Sequence, residues 1–290
     1  VFTLRQYQQH SVDEIRDAFR TGSRAPLLVS PTGSGKTVAF AHIAHGAAAK
    51  GNKIQILSHR QELIRQISRA LTEFNVPHGL IAAKSKPALH HLTQISSIGT
   101  LVGRIDSVPE PDLIIIDEAH HSTSPTYSQI LSKWPNSKRL GVTATPSRLD
   151  GAGLGSVFDK IILGPSVQDL IDQGFLSKPI YYAPPSGVDT SKLHQVGGDF
   201  NKAEAEALMD TQKITGDAVA HYTRICAGKP AIAFCVSLKH AEHVRDQFCL
   251  AGYRAEMIDG KMDDKTRADR TIALSTGRIQ VLVSVDVVSE

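Results

Sequence analysis

Only three cysteines stand in 290 residues, at 226, 235 and 249, and no two form a C-x-x-C pair. Such spacing argues against a zinc ribbon or a disulfide framework and leaves buried free thiols as the expectation. No apolar stretch is long enough to span a bilayer and no signal-peptide core opens the chain, so a soluble, cytoplasmic protein with no membrane partner is expected. Long Lys/Arg runs, low-complexity tails and repeats at solenoid periods are missing as well. Thirteen histidines are present, but His90-His91 and His120-His121 are adjacent pairs. That is not the i, i+4 spacing that puts two ligands on one helix face, so no metal is assigned to histidine.

Charge becomes informative when it is divided. Residues 1–163 hold eighteen Lys and Arg against twelve Asp and Glu, whereas residues 164–290 hold fourteen against seventeen. A basic first half fits contact with a phosphate backbone, although many proteins that bind no nucleic acid share it. The length suffices for two domains with separate cores.

What is present in strength begins at Ser30-Pro31-Thr32-Gly33-Ser34-Gly35-Lys36-Thr37. It follows the apolar run 25–29 and opens onto Val38-Ala39-Phe40-Ala41, the strand, glycine loop and helix setting of a phosphate-binding loop. Glycines let backbone N–H groups turn towards an anion, and the helix N-terminus adds partial positive charge. Thr32, Gly33, Ser34, Gly35, Lys36 and Thr37 are the candidate ATP contacts, with Lys36 on the β- and γ-phosphates and Thr37 on Mg²⁺. The first position of the usual pattern is Ser30 here in place of glycine.

A second element narrows the class. Leu113-Ile114-Ile115-Ile116 reads as a strand covered on both faces and ends in Asp117-Glu118-Ala119-His120. Carboxylates at the C-terminal end of such a strand lie at the rim where open α/β sheets bind ligands. Asp117 would hold Mg²⁺, and Glu118 would polarise the water that attacks the γ-phosphate, so Lys36, Asp117 and Glu118 are the catalytic candidates.

These two elements together resemble superfamily-two helicases and translocases of the DEAD/DEAH type. Further segments fall in that family's order: Leu4-Arg5-Gln6-Tyr7-Gln8, His59-Arg60-Gln61-Glu62-Leu63, Thr100-Leu101-Val102-Gly103-Arg104, Thr143-Ala144-Thr145-Pro146 and Val281-Leu282-Val283-Ser284-Val285-Asp286. The resemblance implies an adenine contact for Gln8, for which a solvated residue at a helix start is the alternative. It implies nucleic-acid contacts for Arg60, Thr100, Arg104 and Ser284; Arg60 could instead cap a helix, and T-x-x-G-R occurs by chance in loops. His120, Thr143 and Thr145 are implied to couple the γ-phosphate site to nucleic-acid binding. The continuation over 145–151 looks most like the bacterial and phage branch related to DNA repair and restriction translocases, while Arg148 and Asp150 read as a structural ion pair.

Fold and function follow as expectations. Strands are read at 26–30, 53–58, 94–98, 113–117 and 139–143, and a helix over 61–74. A region from 164 to 198 contains a short helix over 167–173 and a turn at 184–187. The second block reads as a strand at 231–236, a helix near 238–250, then 254–258, 264–275 and 280–283. Pattern alone gives an open α/β sheet. The resemblance makes it an α/β chain with two RecA-like parallel-sheet domains in tandem, the second incomplete at the C-terminus: 1–163 for ATP binding, 164–198 as connection and 199–290 as the partial second domain. The implied function is an ATP- and Mg²⁺-dependent helicase or translocase whose partner is nucleic acid, DNA favoured over RNA. An RNA helicase is the nearest rival, and an ATP-gated clamp on damaged DNA is the rival from another class. The family's Q/H-R-x-G-R element is not found between 230 and 290, so this 290-residue stretch is expected to be weak or inactive alone.

Overall fold

A computed structural model describes residues 3–83, 85–146, 153–182, 191, 193–196, 199–210 and 212–285. The turn at 184–187, Arg148, Asp150 and the segment 286–290 lie outside the described residues. The chain divides into two compact units, Val1–Ile180 and Tyr181–Glu290.

In the first unit the order is α1 (Gln6–Arg20), β1 (Pro26–Val29), α2 (Lys36–Ala48), β2 (Ile54–Ser58), α3 (Gln61–Glu73), β3 (His78–Ile81), β4 (Thr93–Ser97), α4 (Ile98–Val102), β5 (Leu113–Asp117), α5 (Pro125–Lys133), β6 (Lys138–Thr143), β7 (Lys160–Leu163) and α6 (Val167–Asp172). The seven strands form one sheet in the order β3-β4-β2-β5-β6-β1-β7, and every pairing in it is parallel. Parallel neighbours need crossover connections, which the helices supply, and helices on both faces demand strands apolar on both sides. β5 shows this: Leu113 and Ile115 join one core with Leu28, Ile56, Phe40 and Ile67, while Ile114 and Ile116 join another with Leu27, Leu101, Ile130 and Trp134. Successive side chains point to opposite faces, so an unbroken apolar run fills both cores at once.

β3 and β7 go beyond the sequence expectations. Gly79 interrupts the short apolar pattern of β3, and the glycine admits the Gln94 side chain against its backbone. β7 lies at the sheet edge, where Ile161 and Leu163 are exposed and only Ile162 enters a core. Both edges lack the double-sided burial that makes an inner strand readable.

The second unit contains β8 (Gln195–Val196), β9 (Asp199–Phe200), α7 (Lys202–Met209), α8 (Gln212–Cys226), β10 (Ala231–Phe234), α9 (Leu238–Leu250), β11 (Ala255–Ile258), α10 (Asp264–Ser275) and β12 (Val281–Ser284). Its main sheet is parallel, in the order β10-β12-β11, with β8 and β9 as a separate antiparallel pair. One core gathers Val219, Tyr222, Val244 and Phe248 against Val281 and Val283, and a smaller one lies around Leu274 and Leu282. The fold class is thus the expected one, two α/β units with parallel sheets. Of the three free thiols only Cys235 is buried; Cys249 is exposed, which corrects the expectation of buried thiols. Cys249 sits in the last turn of α9, with its Sγ 3.7 Å from the Ala255 carbonyl oxygen.

Candidate functional site

A parallel sheet gathers the C-terminal ends of its strands on one rim, and the strand order dictates which loops are neighbours there. Reading across the inner strands, that rim carries the segment after β4 with Thr100 and Arg104, Arg60 after β2, Asp117 and Glu118 after β5, Thr143 and Thr145 at β6, and the loop 30–35 after β1. The register Ser58↔Ser97 sets the Arg60 and Thr100 segments side by side. All first-unit site candidates except Gln8 therefore lie on one edge, and Gln8 reaches it from α1.

The glycine loop has the backbone its sequence requires. Gly33 and Gly35 adopt φ of 82° and 81°, where an L-residue is strained. A Cβ on Gly35 would meet the Gln8 amide nitrogen, and one on Gly33 would stand 2.8 Å from Leu176. Ser30 and Ser34 are buried and share a hydroxyl–hydroxyl bond of 2.8 Å, so Ser30 at the usual glycine position braces the loop from within. Gln8 is buried; its amide nitrogen donates to the Ser34 carbonyl at 3.1 Å and its oxygen accepts from the Arg5 backbone N–H at 3.0 Å. Tyr7 donates to the same Ser34 carbonyl at 2.9 Å. In this arrangement Gln8 supports the loop, and its amide keeps a second N–H and a second oxygen lone pair outside these two bonds.

Lys36 opens α2 and donates to the Ser30 and Pro31 carbonyls at 3.2 and 3.4 Å. Burial pulls its pKa down, and the charges of Glu118 and then Asp117 oppose that. Thr37 follows it in the first turn, where backbone N–H groups lack intrahelical acceptors. Thr32 and Gly33 face solvent.

Asp117 is the last residue of β5 and is 5% exposed. Burial, then the Glu118 charge, pushes its pKa up to about 6, against a backbone hydrogen bond and Lys36. A carboxylate that is buried beyond what its surroundings compensate is the donor a hard divalent cation favours. Thr37, Asp117, Lys36 and the glycine cradle therefore fit a magnesium-bound triphosphate. Glu118 has φ of 48°, one of two described non-glycine residues with positive φ. That left-handed residue ends the strand abruptly and starts the 3₁₀ turn Ala119–His121.

Glu118, His120, Thr143 and Thr145 form one network. His120 Nδ1 lies 3.1 Å from Thr143 Oγ1 and 3.4 Å from Glu118 Oε2. Thr143 Oγ1 donates to the Thr145 carbonyl at 3.0 Å and accepts from the Thr145 N–H at 3.1 Å. Because the hydroxyl proton is committed to Thr145, the imidazole must be the donor, which places its proton on Nδ1. Both contacts use this one nitrogen. The Thr143 carbonyl also accepts the Ser30 N–H at 2.9 Å, tying β6 to the start of the loop.

Arg60 is the N-terminal flanking residue of α3 and its side chain makes no capping bond, so the helix-cap alternative lacks its defining contact. Thr100 lies half-buried in α4, and Arg104 follows that helix with its Nη1 buried and without a hydrogen bond among the described residues. Ser284 ends β12 in the second unit, is 1% exposed, and its hydroxyl likewise lacks a bond among the described residues.

Several site residues had no reading of their own in the sequence. Phe175 packs edge-on against Tyr7 at 5.3 Å, and the Arg5 guanidinium lies 4.4 Å from the Phe175 ring centre. Phe175 and Leu176 sit some 140 residues beyond the loop they cover, and no local pattern marks them. Tyr127 on α5 is buried, its hydroxyl lacks a bond among the described residues, and burial followed by the Asp117 and Glu118 charges raises its pKa.

Comparison with known proteins agrees with this geometry. Residues 1–148 match the family described as type III restriction enzyme, res subunit. A 51.5 kDa protein of a Lactococcus phage is 34% identical over 265 residues, covering 91% of this chain and 55% of that protein. A putative ATP-dependent helicase of Saccharomyces cerevisiae, IRC3, is 26% identical over 99% of this chain and 45% of its own length. The Hef helicase domain of Pyrococcus furiosus superposes with a TM-score of 0.59 at 15% identity, covering 98% of this chain and 86% of that domain. The chain spans about half the length of the curated relatives it matches.

Proposed function

Since the chain belongs to the family of type III restriction enzyme res subunits, within the superfamily-two helicases, we propose that it forms the ATP-driven motor of a DNA helicase or translocase. The observation that carries this reading is the single rim on which Lys36, Asp117 and Glu118 adjoin Arg60, with His120 and Thr143 bonded between carboxylate and loop. The glycine cradle binds the phosphates and Lys36 exchanges its loop carbonyls for β- and γ-oxygens. Thr37 and Asp117 would hold Mg²⁺, which when bound would supply positive charge beside the phosphates. Glu118 accepts the proton of the attacking water. His120 donates from Nδ1 to Thr143 while lying against the Glu118 carboxylate, and so reports the position of Glu118 to Thr143 and Thr145.

Arg60, Thr100 and Arg104 contact the nucleic-acid backbone, so binding carries little sequence preference. DNA is favoured by the restriction-enzyme description of the family, while the basic first half of the chain suits any phosphate backbone. ATP turnover by the full-length protein, measured with single-stranded DNA, duplex DNA and RNA, tests the assignment. Stimulation by DNA well above that by RNA is expected, and Lys36→Ala should abolish it without loss of fold. Stronger stimulation by RNA assigns an RNA helicase, and DNA-stimulated turnover without triplex or strand displacement assigns a clamp.

A further inference from the structure

Beside the network just described lies a row of three imidazoles that it does not use in full. The ring centres of His120 and His121 are 4.1 Å apart with planes at 48°, and those of His121 and His59 are 4.6 Å apart with planes at 69°. The row therefore runs from Glu118, which His120 touches, to the residue immediately before Arg60. Its two ends come from adjacent strands, because β2 and β5 pair through Leu57↔Ile116.

The surroundings leave little slack. Ser58 and Ser122, next in sequence to His59 and His121, are fully buried, and Leu57, Ile116 and Ala119 are fully buried about them. A row of rings in contact over a packed floor passes on a displacement, since protein interiors have low compressibility. The hydroxyls of Ser58 and Ser122 also make no hydrogen bond among the described residues.

We propose that His121 is a positioning residue that transmits the state of Glu118 and His120 through its ring to His59 and so to Arg60, coupling nucleotide to nucleic-acid affinity. The link acts by ring packing, and it rests on the motor reading above. Neither His121 nor His59 touches nucleotide or nucleic acid in it; they set where Arg60 stands.

The test measures the affinity of the full-length protein for a labelled DNA duplex with and without a non-hydrolysable ATP analogue. Their ratio is the coupling factor, and by linkage the duplex must alter analogue affinity by the same factor. His121→Ala should cut that factor roughly fivefold or more while leaving each affinity measured alone, and the melting temperature, unchanged. His121→Phe, which keeps a ring, should retain most of the coupling. His59→Ala should match His121→Ala, and the double variant should lose no more than either single one. Coupling that survives His121→Ala in full, or that is lost as completely in His121→Phe, overturns the proposal while the motor reading stands. A parent protein whose two affinities are independent overturns both.

Discussion

The two units are built from the same kind of parallel sheet, and each buries an inner strand, β5 in one and β12 in the other, yet they cover the rest of the sheet differently. In the first unit β5 is buried from end to end, and Asp117 is buried with it. In the second unit the edge strand β10 alternates: Ala231 and Ala233 pack against a core, while Ile232 is 41% and Phe234 64% exposed. The first sheet has cores on both faces that fix a left-handed turn, a strained carboxylate and a lysine within one site. The second also has a core on each face of β12, one larger and one smaller, and its site candidate Ser284 is a neutral hydroxyl.

The sharpest way to break this contrast is Glu118→Gln. The amide keeps the shape and the contact with His120 but cannot take the water's proton. Nucleic-acid-stimulated turnover should fall roughly 10²- to 10⁴-fold while ATP still binds. Turnover at the parent rate in a steady-state assay would remove Glu118 as base, and loss of nucleotide binding by fluorescence titration would make its role structural.

Packing gives the next contrast. Ile115→Ala removes buried methyl groups from the centre of the first sheet and should cost about 2–5 kcal/mol in denaturant unfolding. Ile232→Ala makes a smaller change on an exposed face and should lie within about 0.5 kcal/mol of the parent. Equal losses at both positions would show that the outer face of β10 is covered in solution.

Asp117→Asn should produce a smaller shift than Ile115→Ala, and in the opposite direction. The folded pKa of about 6 lies above that of an unfolded carboxyl, so at neutral pH ionised Asp117 burdens the folded state. That burden is full above pH 6, shrinks as pH falls through 6, and vanishes below about pH 4. In the absence of Mg²⁺ the variant should thus be roughly 1–3 kcal/mol more stable at pH 7 and indistinguishable below about pH 4. It should also bind Mg²⁺-nucleotide poorly. A variant less stable than the parent at pH 7 would mean that hydrogen bonds to Asp117 outweigh its burial.

The same contrast explains what could be read in advance. The run at 113–116 was legible because burial on both faces imposes continuous apolar character, and the glycine loop because its φ values admit few alternatives. β7 was not, since exposure at Ile161 and Leu163 detaches its apolar residues from any inside–outside pattern. Phe175 and Leu176 were invisible because their partners, Tyr7 and Gly33, are brought to them only by the finished sheet. Gln8 and Arg60 were found as positions, but what they touch depends on neighbours that sequence order does not reveal.

The positive φ of Glu118 has a consequence for how this site tolerates change over generations. Chemistry at 118 asks for a carboxylate, while geometry asks for a residue content in the left-handed region, and few residue types meet either demand. Asn and Gly meet the second without the first, so they would yield folded, silent proteins; Val and Ile meet neither. Deep mutational scanning should accordingly split position 118 into a small set of expressed but inactive substitutions and a larger set lost before activity can be scored. Lys36, whose backbone is helical, should show a single class.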